Sequence, residues 1–147
     1  MSLEAFFPYR LAIAAEAFSR NIAQVYSKEY GLTREEWRLL YLLANAERLD
    51  SQELSRRTTL DKVQVSRASQ RLEEKKFISR EISTTDRRLR DLSITEAGRS
   101  LFEDIKPKVD ARAAEMLNAI PQVDRAALDK GIEALILAVA THNEPAD

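Results

Sequence analysis

No cysteine occurs in the 147 residues of the chain. That removes disulfides, thiolate metal sites and thiol-based redox sensing together. Histidine is nearly absent as well: His142, close to the C-terminus, is the only one. A Ser-His-Asp or Cys-His catalytic unit would need it, as would most zinc sites, and a tail residue reads more simply as solvent-exposed. No apolar run approaches the roughly 18 residues of a membrane span. Met1-Ser2-Leu3-Glu4 lacks a basic stretch leading into an apolar core, so no export signal is expected and the expected location is the cytoplasm. No glycine-rich phosphate loop is present. Glu35/Glu36 and Glu73/Glu74 are paired in sequence, but neighbours on a helix point in different directions. The chain is therefore not expected to be an enzyme, and no metal or cofactor is expected.

Glycine is scarce too, with Gly31, Gly98 and Gly131 alone, and Ala, Leu, Glu and Arg are plentiful, which implies a mostly helical protein. With 44% hydrophobic and 32% charged residues, the length suits one domain over 1–147 with a proper core. The net charge of −1 argues against a polyanionic partner, but its distribution does not. Residues 1–53 carry −2, residues 54–99 carry +5 and residues 100–147 carry −4. Positive charge sits in the middle third, as in a nucleic-acid-reading module flanked by acidic helices.

Leu11, Ala15, Phe18, Ile22 and Val25 recur at helical spacing and predict a first helix over about 9–30, with Gly31 as its cap. Thr33-Arg34-Glu35-Glu36 is a capping box opening a helix with Trp37, Leu40, Tyr41 and Ala44, ending near Ala46. Asp50-Ser51-Gln52-Glu53 resembles a second box, before a short helix ending near Arg57. Asp61-Lys62-Val63-Gln64 starts another helix, to about Lys75. Two short helices joined by a few residues form a helix-turn-helix pattern. Residues 77–82 and 89–94 alternate with period two and predict strands around the polar loop 83–88, a hairpin wing with a basic tip. A long helix from Thr95 to about Ile120 contains Pro107, where a kink is expected, and Asp124 is expected to cap a last helix bearing Leu128, Ile132, Leu135 and Val139.

On a wheel of about 100° per residue, Val65, Ala68, Ser69 and Leu72 share one side of the helix that starts at Lys62. Val63, Ser66, Arg67, Gln70 and Arg71 take the opposite arc, with Gln64 at its edge. Arginine bridges guanine O6 and N7, glutamine bridges adenine N6 and N7, and the second helix of the motif is the one that enters a major groove. The same side chains could instead form a solvated face with Glu73 and Glu74. Val63, an apolar residue on a polar face, either meets a thymine methyl or packs on the preceding turn. At the wing tip, Arg87 and Arg88 suit a narrow minor groove, and Asp86 would orient one of them.

These segments resemble the MarR family of regulators. Glu53-Leu54-Ser55-Arg56-Arg57, Asp61–Arg67 and Arg71–Ile78 are similar to its helix-turn-helix. Asp86-Arg87-Arg88 and the following Leu92–Gly98 are similar to its wing and the helix start after it, and Glu36-Trp37-Arg38-Leu39-Leu40 to its second helix. The resemblance covers nearly the whole chain. It implies a mainly α fold with a small β-hairpin wing: a winged helix-turn-helix over 33–98, with dimerisation helices over 1–32 and 99–147. It implies a homodimer on a pseudo-palindromic operator in double-stranded DNA, commonly as a ligand-responsive repressor. The DNA-binding residues it points to are Lys62, Val63, Gln64, Ser66, Arg67, Gln70 and Arg71 on the recognition helix, and Asp86, Arg87 and Arg88 on the wing. Lys76 departs from the family, which usually has glycine there; a left-handed lysine costs on the order of 1 kcal/mol.

The family often senses small aromatic or phenolic acids, and Phe7, Tyr9, Arg10, Trp37 and Arg38 are the candidate pocket here, with aromatic walls and cations for a carboxylate. Phe7 and Trp37 read more simply as plain core. Without cysteine the family's peroxide-sensing branch is excluded, and a single histidine speaks against its zinc-sensing branch. The competing reading is a winged-helix protein-interaction module that never reads DNA. Such a surface should be apolar with aromatic anchors, unlike the Arg, Gln and Ser arc.

Overall fold

The computed structural model describes Ser2 and residues 5–143. Met1, Leu3 and Glu4, part of the stretch read above as carrying no export signal, lie outside the described residues. The elements in chain order are α1 (Phe7–Ser27), α2 (Arg34–Ala44), β1 (Leu49–Asp50), α3 (Ser51–Arg57), α4 (Lys62–Glu74), β2 (Ile78–Ile82), β3 (Arg90–Ile94), α5 (Glu96–Asn118) and α6 (Gln122–His142). The chain forms two compact units, divided after Asp110 within the continuous helix α5.

In the first unit, α1 ends where the backbone turns at Gly31, whose φ is 68° and whose N–H donates to the Ser27 carbonyl at 3.1 Å. The predicted stripe of α1 is only partly used within the unit. Tyr26 is buried and Ile22 and Val25 are half-buried, while Leu11 and Phe18 are exposed. Thr33 and Glu36 form the full capping box of α2. This helix buries Trp37, Leu39, Leu40 and Leu43, while Tyr41 is 41% exposed. Trp37 stacks between Tyr26 (centroids 5.3 Å apart) and Phe102 (5.5 Å). Burial beside that ring pushes the Tyr26 hydroxyl up to about 12.

Asp50 caps α3 by accepting from the Glu53 N–H at 2.8 Å, but the second box is only half made. The Glu53 carboxylate turns to Arg56 at 2.6 Å and Arg57 at 3.5 Å instead of reaching back. Asp61 and Gln64 close both halves of the box that starts α4. Val65, Ala68, Ser69 and Leu72 are buried, as the wheel places them. A fully buried Val or Leu contributes about 1.5–3 kcal/mol, so this row fixes which arc of α4 faces outward. The three-stranded antiparallel sheet has the order β1-β3-β2. The hairpin pairs Ile78 with Ile94 and Ile82 with Arg90. β1, which adds Leu49 opposite Leu92, was not expected, because two residues carry no period.

α4 ends in a Schellman motif: Phe77 N–H donates to Leu72 O at 3.0 Å, and Lys76 N–H to Glu73 O at 2.9 Å. Lys76 takes the left-handed position at φ 66°. Thr95 bridges back to the same turn, with its hydroxyl donating to Lys76 O at 2.7 Å and its N–H to Phe77 O at 3.0 Å. Thr95 Oγ1 also accepts from Gly98 N–H at 3.1 Å and so caps α5. A Cβ on Gly98 would lie 2.0 Å from Phe77 O and 2.9 Å from Ile94 Cγ1, so this position admits glycine alone without backbone movement. Pro107 lies inside α5, where its missing N–H removes one helical hydrogen bond.

The second unit holds the last turns of α5 and all of α6. Pro121, not Asp124, is the N-cap of α6, with no side-chain cap bond; Asp124 lies in the first turn. None of its residues is buried in the chain, and Val123, Leu128, Ile132, Ile136, Leu137 and Val139 are exposed.

Two substitutions should move stability in opposite directions. Gly98→Ala should cost about 2 kcal/mol or more, since the clash is with backbone. Lys76→Gly should gain about 0.5–1 kcal/mol by removing left-handed strain, less the added freedom of the unfolded chain. Urea unfolding midpoints check both; a neutral Gly98→Ala would contradict the packing described.

Candidate nucleic-acid interface

The exposed arc of α4 carries Lys62, Val63, Gln64, Ser66, Arg67, Gln70 and Arg71. Their side chains are not equally available. Among the described residues, no hydrogen bond or ion pair engages the side chains of Lys62 and Arg67. Gln64 Oε1 accepts from the Asp61 N–H at 3.0 Å, so this residue serves the helix cap first. Gln70 Nε2 donates to Glu74 Oε1 at 3.3 Å. Arg71 Nε lies 3.5 Å from Glu36 Oε1, turned toward α2. Val63 is 56% exposed and projects with the polar group around it.

The wing tip is built on a local network. Ser83, buried at the end of β2, accepts from the N–H groups of Thr85 and Asp86, both at 3.3 Å. Asp86 takes hold of Arg88: Oδ1 accepts from Arg88 N–H at 3.0 Å and from Nε at 3.1 Å, and Oδ2 from Nη2 at 3.0 Å. The expected carboxylate–guanidinium brace is thus made, to Arg88 rather than Arg87. The Arg88 guanidinium, helped by its N–H, holds the Asp86 carboxyl below its usual range. Arg87 is exposed, with no polar partner for its side chain among the described residues.

Between α3, α4 and the wing lies a cavity of about 560 Å³ lined by Lys62, Ser66, Ser69, Arg80, Arg88 and Arg90, with Asp86 among the remaining walls. Arg80 pairs with Glu73 at 3.0 Å, but its buried Nε has no hydrogen-bond partner among the described residues. Arg80 and Arg90 were not singled out from sequence: as strand residues they showed only as members of an alternating pattern. The cluster adds positive charge beside the α4 arc.

The five candidate effector residues do not come together within one chain. Phe7, Tyr9 and Arg10 occupy the first turn of α1, exposed. Trp37 packs against Tyr26, 19 residues farther along that helix, which at 1.5 Å per residue is about 28 Å away. Trp37 is a core residue, 7% exposed. Arg38 donates from Nη1 to Thr59 Oγ1 at 2.8 Å and from Nη2 to Ser19 Oγ at 3.4 Å, linking the helix-turn-helix turn to α1. No group of His, Cys, Asp and Glu among the described residues could hold a metal ion, and none of their helices is long and apolar enough to cross a membrane.

Comparison with known proteins bears on this geometry. The model of the MarR family matches residues 30–89, which span α2 to the wing tip. A Bacillus subtilis (strain 168) protein described as an uncharacterized HTH-type transcriptional regulator, YdgJ, is 28% identical over 95 residues, 65% of this chain. The matched stretch spans 58% of YdgJ. Among solved structures, Sco3205 from Streptomyces coelicolor, a MarR family transcriptional regulator in complex with DNA, superposes with a TM-score of 0.82 at 20% identity, covering 100% of this chain and 93% of that one. CouR from Rhodococcus jostii RHA1, bound to p-coumaroyl-CoA, gives 0.78 at 20% identity, covering 99% of each chain.

The Asp86–Arg88 brace has a pH consequence. Asp86 is lowered from the model-peptide value of 3.8, so its bonds to Arg88 should persist through that pH and fail only as pH falls beneath the lowered value. Carboxyl-detected NMR titration should show Asp86 protonating below 3.8, and Arg88→Ala should return it toward 3.8. An Asp86 titration unmoved by that substitution would contradict the brace.

Proposed function

We propose that this chain is a winged-helix protein of the MarR family and a sequence-specific DNA-binding transcriptional regulator, a reading supported by the family model over residues 30–89. The observation that carries the reading is the exposed α4 arc, seated by its buried row and flanked by the basic wing. Arg67 reads a base edge in the major groove, with Lys62, Ser66 and Gln70 at phosphates or neighbouring bases and Val63 against a thymine methyl. Gln64 and Arg71 border that contact. Arg87 enters the minor groove, and Asp86 and Arg88 stiffen the loop that presents it. Sco3205, similar in fold, is a DNA complex, which supports the docking mode.

The protein acts as a cytoplasmic homodimer on an inverted repeat, and represses. Six exposed apolar side chains on α6, and Phe7, Ile13 and Phe18 on α1, are the surfaces a second copy would cover. The domain is divided accordingly, with 33–98 reading DNA and 1–32 and 99–147 pairing the subunits. An aromatic or phenolic acid, or a derivative of one, releases the DNA; CouR, similar in fold, binds p-coumaroyl-CoA. Within such a dimer the first turn of α1, with Phe7, Tyr9 and Arg10, contributes to a pocket from one subunit, while Arg38 offers the guanidinium and Trp37 backs it. The effector acts by linkage, lowering DNA affinity by as much as DNA lowers its own.

The test begins with selection of duplexes from a random pool, followed by salt titration of the winner. The reading expects an inverted repeat and a steep fall of affinity with salt. Arg67→Ala should then cost about 1–3 kcal/mol and relax preference at one base position of each half-site. Failure to enrich any duplex at low salt, with or without aromatic acids, would overturn the reading. A protein-interaction module would leave the pool unselected.

A further inference from the structure

We infer that Glu36 is a specificity-determining positioning residue, which withholds Arg71 and Lys75 from DNA and leaves Arg67 as the forward cation of its row. The inference rests on the DNA-reading function proposed above. Arg67, Arg71 and Lys75 follow one another at spacings of four on α4 and its C-cap, so they form one line along the helix, a turn apart. Three cations in such a line would attract any phosphate backbone, whatever its sequence. Glu36 comes from the first turn of α2 and is 1% exposed. Its Oε2 accepts from Lys75 Nζ at 2.8 Å, and its Oε1 lies 3.5 Å from Arg71 Nε. Lys75 Nζ is tied down a second time, donating to Gly31 O at 3.1 Å. A carboxylate out of water needs such partners, so both cations are drawn to α2. Arg67, one turn nearer the N-terminus of α4, has no such anchor. Sequence-independent attraction is thereby reduced while the base-reading arginine keeps its freedom, and the two-point tie also fixes the roll of α4 against α2.

Glu36→Gln separates this role from helix capping, because glutamine closes the same box with Thr33. With the charge gone, Arg71 and Lys75 should turn to phosphates. Affinity for a scrambled duplex should rise roughly three- to tenfold near 0.1 M salt, the slope of log K against log salt should steepen by about one to two, and the ratio of operator to scrambled affinity should fall. Glu35→Gln, the same charge change next to it on a residue with no ion pair to α4, should shift the slope by much less. A measurement on the unaltered protein does not depend on any variant folding. In 15N spectra of arginine Nε groups, the Arg67 signal should shift on addition of operator and the Arg71 signal should not. An Arg71 shift as large as that of Arg67, or a Glu36→Gln slope equal to that of Glu35→Gln, overturns the inference while wild-type operator binding stands. Loss of all wild-type binding would instead overturn the functional reading and this inference with it.

Discussion

The seating of one helix governs everything else in this molecule. Val65, Ala68, Ser69 and Leu72 are buried along one side of α4, and the helix cannot roll without exposing them. Hydrophobic burial is strong but non-directional, so the finer setting comes from polar ties at the two ends. At the start, Asp61 and Gln64 satisfy the first amides and each other. At the end, Lys75 and Arg71 meet the buried Glu36 carboxylate, and the Schellman turn at Lys76 hands the chain to β2. Between these fixed ends the polar arc has one orientation.

The same turn carries a second duty. Phe77 O accepts the Thr95 N–H, and Gly98 must pass close by that carbonyl. The end of α4, the base of the wing and the start of α5 are thus tied within a few residues. The wing is also held along its other edge by β1, which pairs with Asp91 and Leu92 on the far side of β3. A stiff base with an exposed tip suits a device that reaches past the body of the protein, and the Asp86–Arg88 brace extends that stiffness to the tip itself.

Local signals made most of the secondary structure legible. Thr33 and Asp61 with their box partners, the period of two in the wing and the inward row of α4 appear in the structure with boundaries within a few residues. Signals that depend on partners distant in sequence were not legible. Glu36 read as a capping residue, yet its burial beside Arg71 and Lys75 needs α2 packed on α4. Arg80 and Arg90 read as strand residues, and their place around the cavity beside α4 follows only from the sheet closing on that helix. Asp124 looked like a cap, but Pro121 three residues earlier begins the helix, because its fixed φ suits the position before the first turn. The proposed effector residues were grouped by chemistry alone, and the length of α1 separates them within one chain.

The central claim, that two copies of the α4 arc enter major grooves of one duplex, is tested most directly by methylation interference at guanine N7 on a selected duplex. The account predicts two clusters of interfering guanines related by a dyad, their centres about one helical turn, roughly 10 base pairs, apart. Methylation that leaves binding unaffected at every guanine of a G-containing site, or a single cluster without a symmetry mate, would contradict it.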